Sequence, residues 1–254
     1  MKYGAIYPSL EGRTVLVTGG GSGIGESIVR HFAAQGSKVG FIDIVEAPSK
    51  ALVAALAGEG RKVHFAKADL TDIDATRKAI DDVRKALGPI TILVNNAAHD
   101  ERHKLEDVTP EYFDNRVAVN FRHQFFCIQA VVPDMKAAGG GSIVNMTSGS
   151  WVNASPGMPV YVASKMADYG LVRGFARDLG PFNIRINAIA PGWILTERQL
   201  KLWWSPDAEK HHMDQQSLKR RLTVDDMARV VLFYASDESS AITSQNVVAD
   251  GGQD

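Results

Sequence analysis

Tyr161 and Lys165 stand four residues apart in Tyr161-Val162-Ala163-Ser164-Lys165, and on a helix that spacing sets a phenol beside an ammonium with about 5–6 Å between Cβ atoms. A free phenol titrates near 10, too high for a proton acceptor at neutral pH, and a neighbouring cation favours the phenolate. The pair therefore suits acid/base chemistry on an alcohol or carbonyl. Of the six tyrosines only Tyr161 has lysine four residues on. The spacing alone equally describes an exposed helix pair, so its surroundings must carry the assignment. Ser148, at the end of a predicted strand, is placed to hydrogen-bond a reacting oxygen. Asn120 is read as holding a water on a proton path from Lys165, with helix packing as its other reading.

A second constellation lies near the N-terminus. Thr18-Gly19-Gly20-Gly21-Ser22-Gly23-Ile24-Gly25 directly follows a β-rich run and opens a helical pattern. The free amides and positive dipole end of a helix start there would meet a pyrophosphate. A ligand-free strand-to-helix turn has the same composition. Asp43, 18 residues past Gly25 at the end of the next strand, adds a carboxylate suited to adenosine ribose hydroxyls and hostile to a 2′-phosphate. Neither Ser22 nor Ile44 and Val45 brings the Arg or Lys that favours NADP, so NAD is expected. Asp69 and Leu70 follow the third strand, and Asn95, Asn96, Ala97 and Ala98 follow the fourth; such residues also serve ordinary turns.

These groups need a frame. Short continuous apolar runs predict strands over 14–18, 39–43, 63–67, 92–95, 142–146, 185–189 and 247–249. Helical spacing predicts helices over 23–35, 48–57, 72–87, 111–135, 159–179 and 224–235. The alternation implies an α/β fold: one doubly wound domain over 1–254 with a seven-stranded parallel sheet covered by helices. Every candidate group falls after a strand, where open parallel sheets bind ligands. The longest stretch without a predicted element, 192–222, is read as a substrate lid.

In this order, the glycine-rich turn, Asp69, Asn95-Asn96-Ala97, Asn120, Ser148, Tyr161, Lys165 and Pro191-Gly192 resemble the short-chain dehydrogenase/reductase family over nearly the whole chain. The resemblance implies a Rossmann-type domain, usually a homotetramer, with Asn120, Ser148, Tyr161 and Lys165 as the catalytic set. It implies cofactor contacts from Gly19, Ser22, Gly23, Ile24, Gly25, Asp43, Asp69, Leu70, Asn95 and Ala97, with Tyr161 and Lys165 also at the cofactor and Lys165 on the nicotinamide ribose. Pro191, Gly192, Trp193, Ile194 and Thr196 match the segment that meets the nicotinamide amide. Ala98 stands where the family usually has glycine.

The loop His99-Asp100-Glu101-Arg102-His103-Lys104 is six polar residues long, unsuited to a lipid or steroid pocket, although a solvated surface loop looks the same. Trp151, Trp193, Trp203 and Trp204 all neighbour proposed site segments, where flat rings suit sugar C–H faces, packing or subunit contacts. The segment 95–109 and Ser148-Gly149-Ser150-Trp151 resemble the bacterial aldose 1-dehydrogenases of the family. That implies oxidation of a cyclic aldose at C1 to a lactone, with Asp100, Ser148, Ser150, Trp151, Asn153, Tyr161 and Trp193 facing the sugar. Reduction of a 3-oxoacyl or small ketone substrate would use the same catalytic groups, and a non-catalytic nucleotide sensor is the reading from another class.

Composition narrows the partners. The 254 residues are 45% apolar and carry a net charge of -1, with no basic excess to attract nucleic acid or an anionic membrane. The single cysteine, Cys127, lies in an apolar run and cannot form an internal disulfide, in keeping with a reducing cytoplasm. No run of 18 apolar residues and no apolar N-terminal stretch predicts a membrane span or export signal. No catalytic metal is expected, and the adjacent His211 and His212 are read as exposed.

Overall fold

In the computed structural model, which describes residues 4–253, all seven predicted strands occur: β1 Thr14–Thr18, β2 Lys38–Asp43, β3 Val63–Lys67, β4 Ile92–Asn95, β5 Gly141–Met146, β6 Ile184–Pro191 and β7 Asn246–Ala249. They form one sheet in the order β3-β2-β1-β4-β5-β6-β7, and every pairing is parallel. β1 and β4 are buried at every position, as continuous Val/Leu/Ile runs require when both faces are covered.

The covering helices are α1 Gly23–Ala34, α2 Glu46–Gly58, α3 Ile73–Leu87, α4 Pro110–Val117, α5 His123–Ala137, α6 Pro159–Leu179, α7 Glu197–Leu202, α8 Pro206–Gln215 and α9 Val224–Ala235. On one face Ile80 and Val83 of α3, Ile128 and Val131 of α5 and Val172 of α6 pack on Leu16, Leu93 and Ile186. On the other, Ile28 and Phe32 of α1 and Val231 and Leu232 of α9 pack on Val15, Val17 and Ile189. α3 lies flush on β2 because Gly40 has no side chain; a Cβ there would stand 2.2 Å from Val83 Cγ1.

The chain turns back from β3 at the sheet edge to place β4 beside β1. The first helices of the two halves thus diverge beyond the β1 and β4 carboxyl ends and leave a crevice there.

Two predicted elements change. The helix expected over 111–135 is α4, a π-helical turn at Ala118–Arg122, and α5. Hydrophobic period does not register one inserted residue. The segment 192–222 contains α7 and α8, each started by a side-chain cap, Thr196 and Ser205. α7 buries no residue and α8 only His212, so neither carries an apolar stripe for the sequence pattern to reveal.

Candidate active site

A cleft runs along the carboxyl edge of the sheet from the glycine-rich turn, past Asp43, Asp69 and Leu70, to Ser148, Tyr161 and Lys165, and then under α7 and α8. At its first end the backbone is compressed. The Gly19 N–H donates to the Ile42 carbonyl at 2.7 Å, and a Cβ on Gly25 would lie 1.9 Å from the Gly19 carbonyl oxygen. Gly23 has φ +57°, in the left-handed region. Ser22, the N-cap of α1, makes no side-chain cap, unlike Asp72, Thr109, Thr196, Ser205 and Thr223 at the starts of α3, α4, α7, α8 and α9. An uncapped helix start in a glycine cradle fits a dinucleotide pyrophosphate.

Asp43 holds this rim. Its Oδ2 accepts from the Gly21 N–H at 2.8 Å and its Oδ1 from the Val45 N–H at 2.9 Å. Asn95, expected at the cofactor, points elsewhere: it is wholly buried, and its Nδ2 donates to Asn145 Oδ1 on β5 at 2.9 Å. Strand alternation turns the next residue the other way. Asn96 lines the cleft and its Nδ2 donates to the Thr18 and Gly19 carbonyls at 3.0 and 3.1 Å, a clamp on the turn that its sequence position did not distinguish.

Midway along the cleft, Pro159 begins α6 and fixes the first helical φ, so Tyr161 and Lys165 take the face toward the sheet. Lys165 Nζ lies 5.9 Å from the Tyr161 ring centroid. Its ammonium donates to the Met146 carbonyl at 2.9 Å and to Asp168 Oδ2 at 3.0 Å. Burial pushes the Tyr161 phenol up, while the Lys165 charge and the Ser148 hydroxyl pull it down. The cation acts in the expected direction, and burial outweighs it in the protein alone. Ser148 Oγ also accepts from the Ser150 N–H at 3.1 Å.

Asn120 sits in the π turn, wholly buried and outside the cleft lining. Its Oδ1 accepts from the His99 N–H at 2.7 Å, and its Nδ2 donates to the Arg116 and His99 carbonyls at 3.0 and 3.3 Å. The side chain thus fastens the β4 loop to the end of α4.

Of the expected sugar contacts, Asp100, Ser150, Asn153 and Trp193 line the cleft together with Ser148 and Tyr161. Trp151 does not: its ring stacks on Tyr169 of α6, with centroids 6.4 Å apart, and this packing takes it out of the cleft. Ser150 Oγ is buried and has no hydrogen-bond partner. The polar loop is divided in use. His99, Asp100 and Arg102 face the cleft, whereas Glu101 pairs with Arg116 at 2.9 Å and His103 contacts Tyr112.

Pro191, Gly192, Ile194 and Thr196 also line the cleft. Gln199, which the sequence did not single out, joins the segments: its Nε2 donates to Asp100 Oδ2 at 2.7 Å, and its Oε1 accepts from Trp193 Nε1 at 3.0 Å. Arg198 Nε adds a 3.2 Å bond to Asp100 Oδ1, and the Arg102 guanidinium lies 5.2 Å over the Trp203 ring. α7 is thereby fastened across the cleft to the β4 loop. His212 corrects the expected exposure of the histidine pair: it is buried, its ring edge-to-face with Trp193 at 5.1 Å. Among the described residues no group of three His, Cys, Asp or Glu side chains is arranged to hold a metal ion, and no helix is long and apolar enough to cross a membrane.

A family model described as enoyl-(acyl carrier protein) reductase matches residues 19–254. A protein named probable galactose dehydrogenase GalD, from Rhizobium meliloti (strain 1021), is 47% identical over 247 residues, covering 97% of this chain and 96% of that one. D-xylose 1-dehydrogenase of Caulobacter vibrioides (strain NA1000 / CB15N) is 42% identical over 248 residues, 98% of each chain. Among solved structures, a 7α-hydroxysteroid dehydrogenase complexed with NADH and 7-oxo glycochenodeoxycholic acid superposes with a TM-score of 0.93 at 32% identity, covering 100% of this chain and 99% of that one.

Proposed function

Because the chain belongs to the short-chain dehydrogenase/reductase family, we propose that it oxidises the anomeric hydroxyl of a cyclic aldose to an aldonolactone, using NAD. The observation that carries this reading is the cleft itself, where Tyr161 and Ser148 share a wall with Asp100, Asn153, Trp193 and the unpartnered hydroxyl of Ser150. A buried, unpartnered hydroxyl is costly until a ligand satisfies it, and a polyhydroxylated ligand does so. The names of the galactose and D-xylose relatives point the same way.

Tyr161, as phenolate, accepts the proton of the C1 hydroxyl. Ser148 hydrogen-bonds the C1 oxygen and holds it at the phenol. Lys165 supplies the positive charge that favours phenolate, and its remaining N–H is available to a ribose hydroxyl. The nicotinamide, when bound, provides the acceptor for the C1 hydride. Loss of that hydride with the hydroxyl proton turns the cyclic hemiacetal into a lactone. Asn120 serves by fixing the β4 loop that carries Asp100.

Asp43 supports NAD over NADP, because its carboxylate lies at the rim beside exposed Ile44 and Val45, and Arg30, the guanidinium of α1 in the cleft, is engaged by Glu26. The fastening of α7 to Asp100 supports the segment 192–222 as a lid. Exposed Phe113, Phe125 and Met166 on α4, α5 and α6 support a homotetramer joined through these helices. A buried Cys127, its thiol pushed up to about 12, suits a cytoplasmic enzyme.

The test is to mix the purified protein and NAD⁺ with pentoses, hexoses and deoxyhexoses and follow NADH absorbance. At least one aldose is expected to be oxidised, and Tyr161→Phe should lower turnover by about 10²–10⁴-fold while NADH still binds. Turnover of a non-sugar alcohol or ketone alone would discard the aldose; nucleotide binding without any turnover would favour a sensor.

A further inference from the structure

The inward stripe of α6 contains Val160, Ser164, Lys165, Asp168, Val172, Ala176 and Leu179. Six of these seven are apolar, small or already accounted for. Asp168 is a carboxylate at a core position, wholly buried, one turn beyond Lys165. Burying an ionisable group costs several kcal/mol unless it is paired. Its partner is the catalytic cation: Oδ2 accepts from Lys165 Nζ at 3.0 Å, and among the described residues no other ion pair has both side chains so fully removed from solvent. Gln124 adds a side-chain hydrogen bond to the same carboxylate, a neutral partner beside the Lys165 cation.

The surroundings leave little else to balance the charge. α5 contributes His123, Gln124 and Cys127, all wholly buried. His123 is neutral, pushed down to about 3 by burial and by Lys165, and the Cys127 thiol stays protonated. Gln124 Nε2 donates to the Asn120 carbonyl at 3.2 Å. β5 offers only the Met146 carbonyl, and from the β4 loop Asp100 reaches the phenol electrostatically.

We propose that Asp168 is a positioning residue for the proton transfer: its carboxylate anchors the Lys165 ammonium and cancels part of the positive field that Lys165 exerts on Tyr161. With Asp168 ionised, Lys165 belongs to a neutral pair and favours phenolate weakly; with Asp168 neutral, the full charge acts. Burial pushes the Asp168 carboxyl up to about 6, so the neutral pair is fully formed only above that pH. Asp168 thereby sets the pH above which Tyr161 takes a proton.

The proposal rests on Tyr161 as the proton acceptor and not on which alcohol is oxidised. Its test is the tyrosinate absorbance of Tyr161, taken as the difference between each protein and its Tyr161→Phe partner, without nucleotide or sugar. Asp168→Asn, which keeps the shape and removes the charge, should lower the Tyr161 midpoint by about one pH unit relative to wild type. Asp168→Ser repeats the measurement with a smaller neutral side chain and serves if the Asn variant does not fold; Asp168→Glu should restore most of the shift. A midpoint that stays put or rises overturns the proposal. Where an oxidisable alcohol is in hand, the acid limb of kcat/KM must move downward with the midpoint. Absence of aldose oxidation leaves the absorbance titration unaffected, so the two readings fail separately.

Discussion

The two ends of the cleft are made of different material. The end we assign to the nucleotide is largely backbone: glycines at 19, 23 and 25, the uncapped start of α1 and two amides held by Asp43. These parts lie within thirty residues of one another, while Asp69, Leu70 and the Asn96 clamp come from further along the chain. The end we assign to the substrate is side chains drawn from the β4 loop, the turn after β5, the segment after β6 and α7. Backbone recognition reads a group every dinucleotide shares, whereas side-chain recognition reads hydroxyl positions that distinguish one sugar from another. One end is therefore intolerant of added atoms, and the other is open to exchange of polar groups.

The sharpest way to break this contrast is Gly25→Ala. The methyl would be forced against the Gly19 carbonyl at 1.9 Å, so the turn must move. A stability loss of about 3 kcal/mol in urea unfolding is expected, with loss of NADH binding by fluorescence titration. Tight NADH binding by this variant would mean that the turn is not the dinucleotide cradle.

A second prediction concerns the floor beneath both ends. His123 is held neutral, pushed down to about 3 from an ordinary 6.5. As pH falls below 6.5 the unfolded chain takes up a proton that the native imidazole refuses, so this contribution is complete above 6.5 and is lost on acidification. At pH 5 the loss is about 2 kcal/mol. Asp168, raised to about 6, works in the opposite sense between about 6 and 4, because there the native carboxyl binds its proton first. Urea midpoints from pH 7 to pH 5 should thus fall less steeply in His123→Gln than in wild type; parallel slopes would show that His123 does not resist charging.

The smallest effect should lie at the substrate end. Gln199→Ala removes its own bonds to Asp100 and Trp193, each worth about 1 kcal/mol, and leaves only the Arg198 bond from α7 to Asp100. KM for the alcohol should rise about tenfold while the dissociation constant of NADH changes less than twofold. An equal rise in both would show that the two ends are mechanically one.

How much of this was legible in sequence follows the same division. The glycine-rich turn, Asp43 and the Tyr161/Lys165 pair were readable because a turn, a strand end and one helical step set their geometry locally. Asn95 and Asn96 show the limit: both stand at the right strand end, but the pleat sends one toward Asn145 and the other to the turn. Trp151 was drawn to the site by proximity to Ser148, yet its large ring is packed on Tyr169 instead. Gln199 carried no signal, since its significance lies in a bond to a residue 99 positions earlier.

The sequence by itself determined the parallel sheet and most of its covering helices and pointed to the proton chemistry proposed above, because continuous apolar runs, glycine spacing and an i,i+4 pair act through neighbouring residues. Only the tertiary structure decided what faces what: that Asn120 fastens a loop, that α7 is tied to Asp100, and that Lys165 meets Asp168 out of water. Those relations depend on side-chain direction and on the dielectric of the surroundings, neither of which exists until distant segments pack.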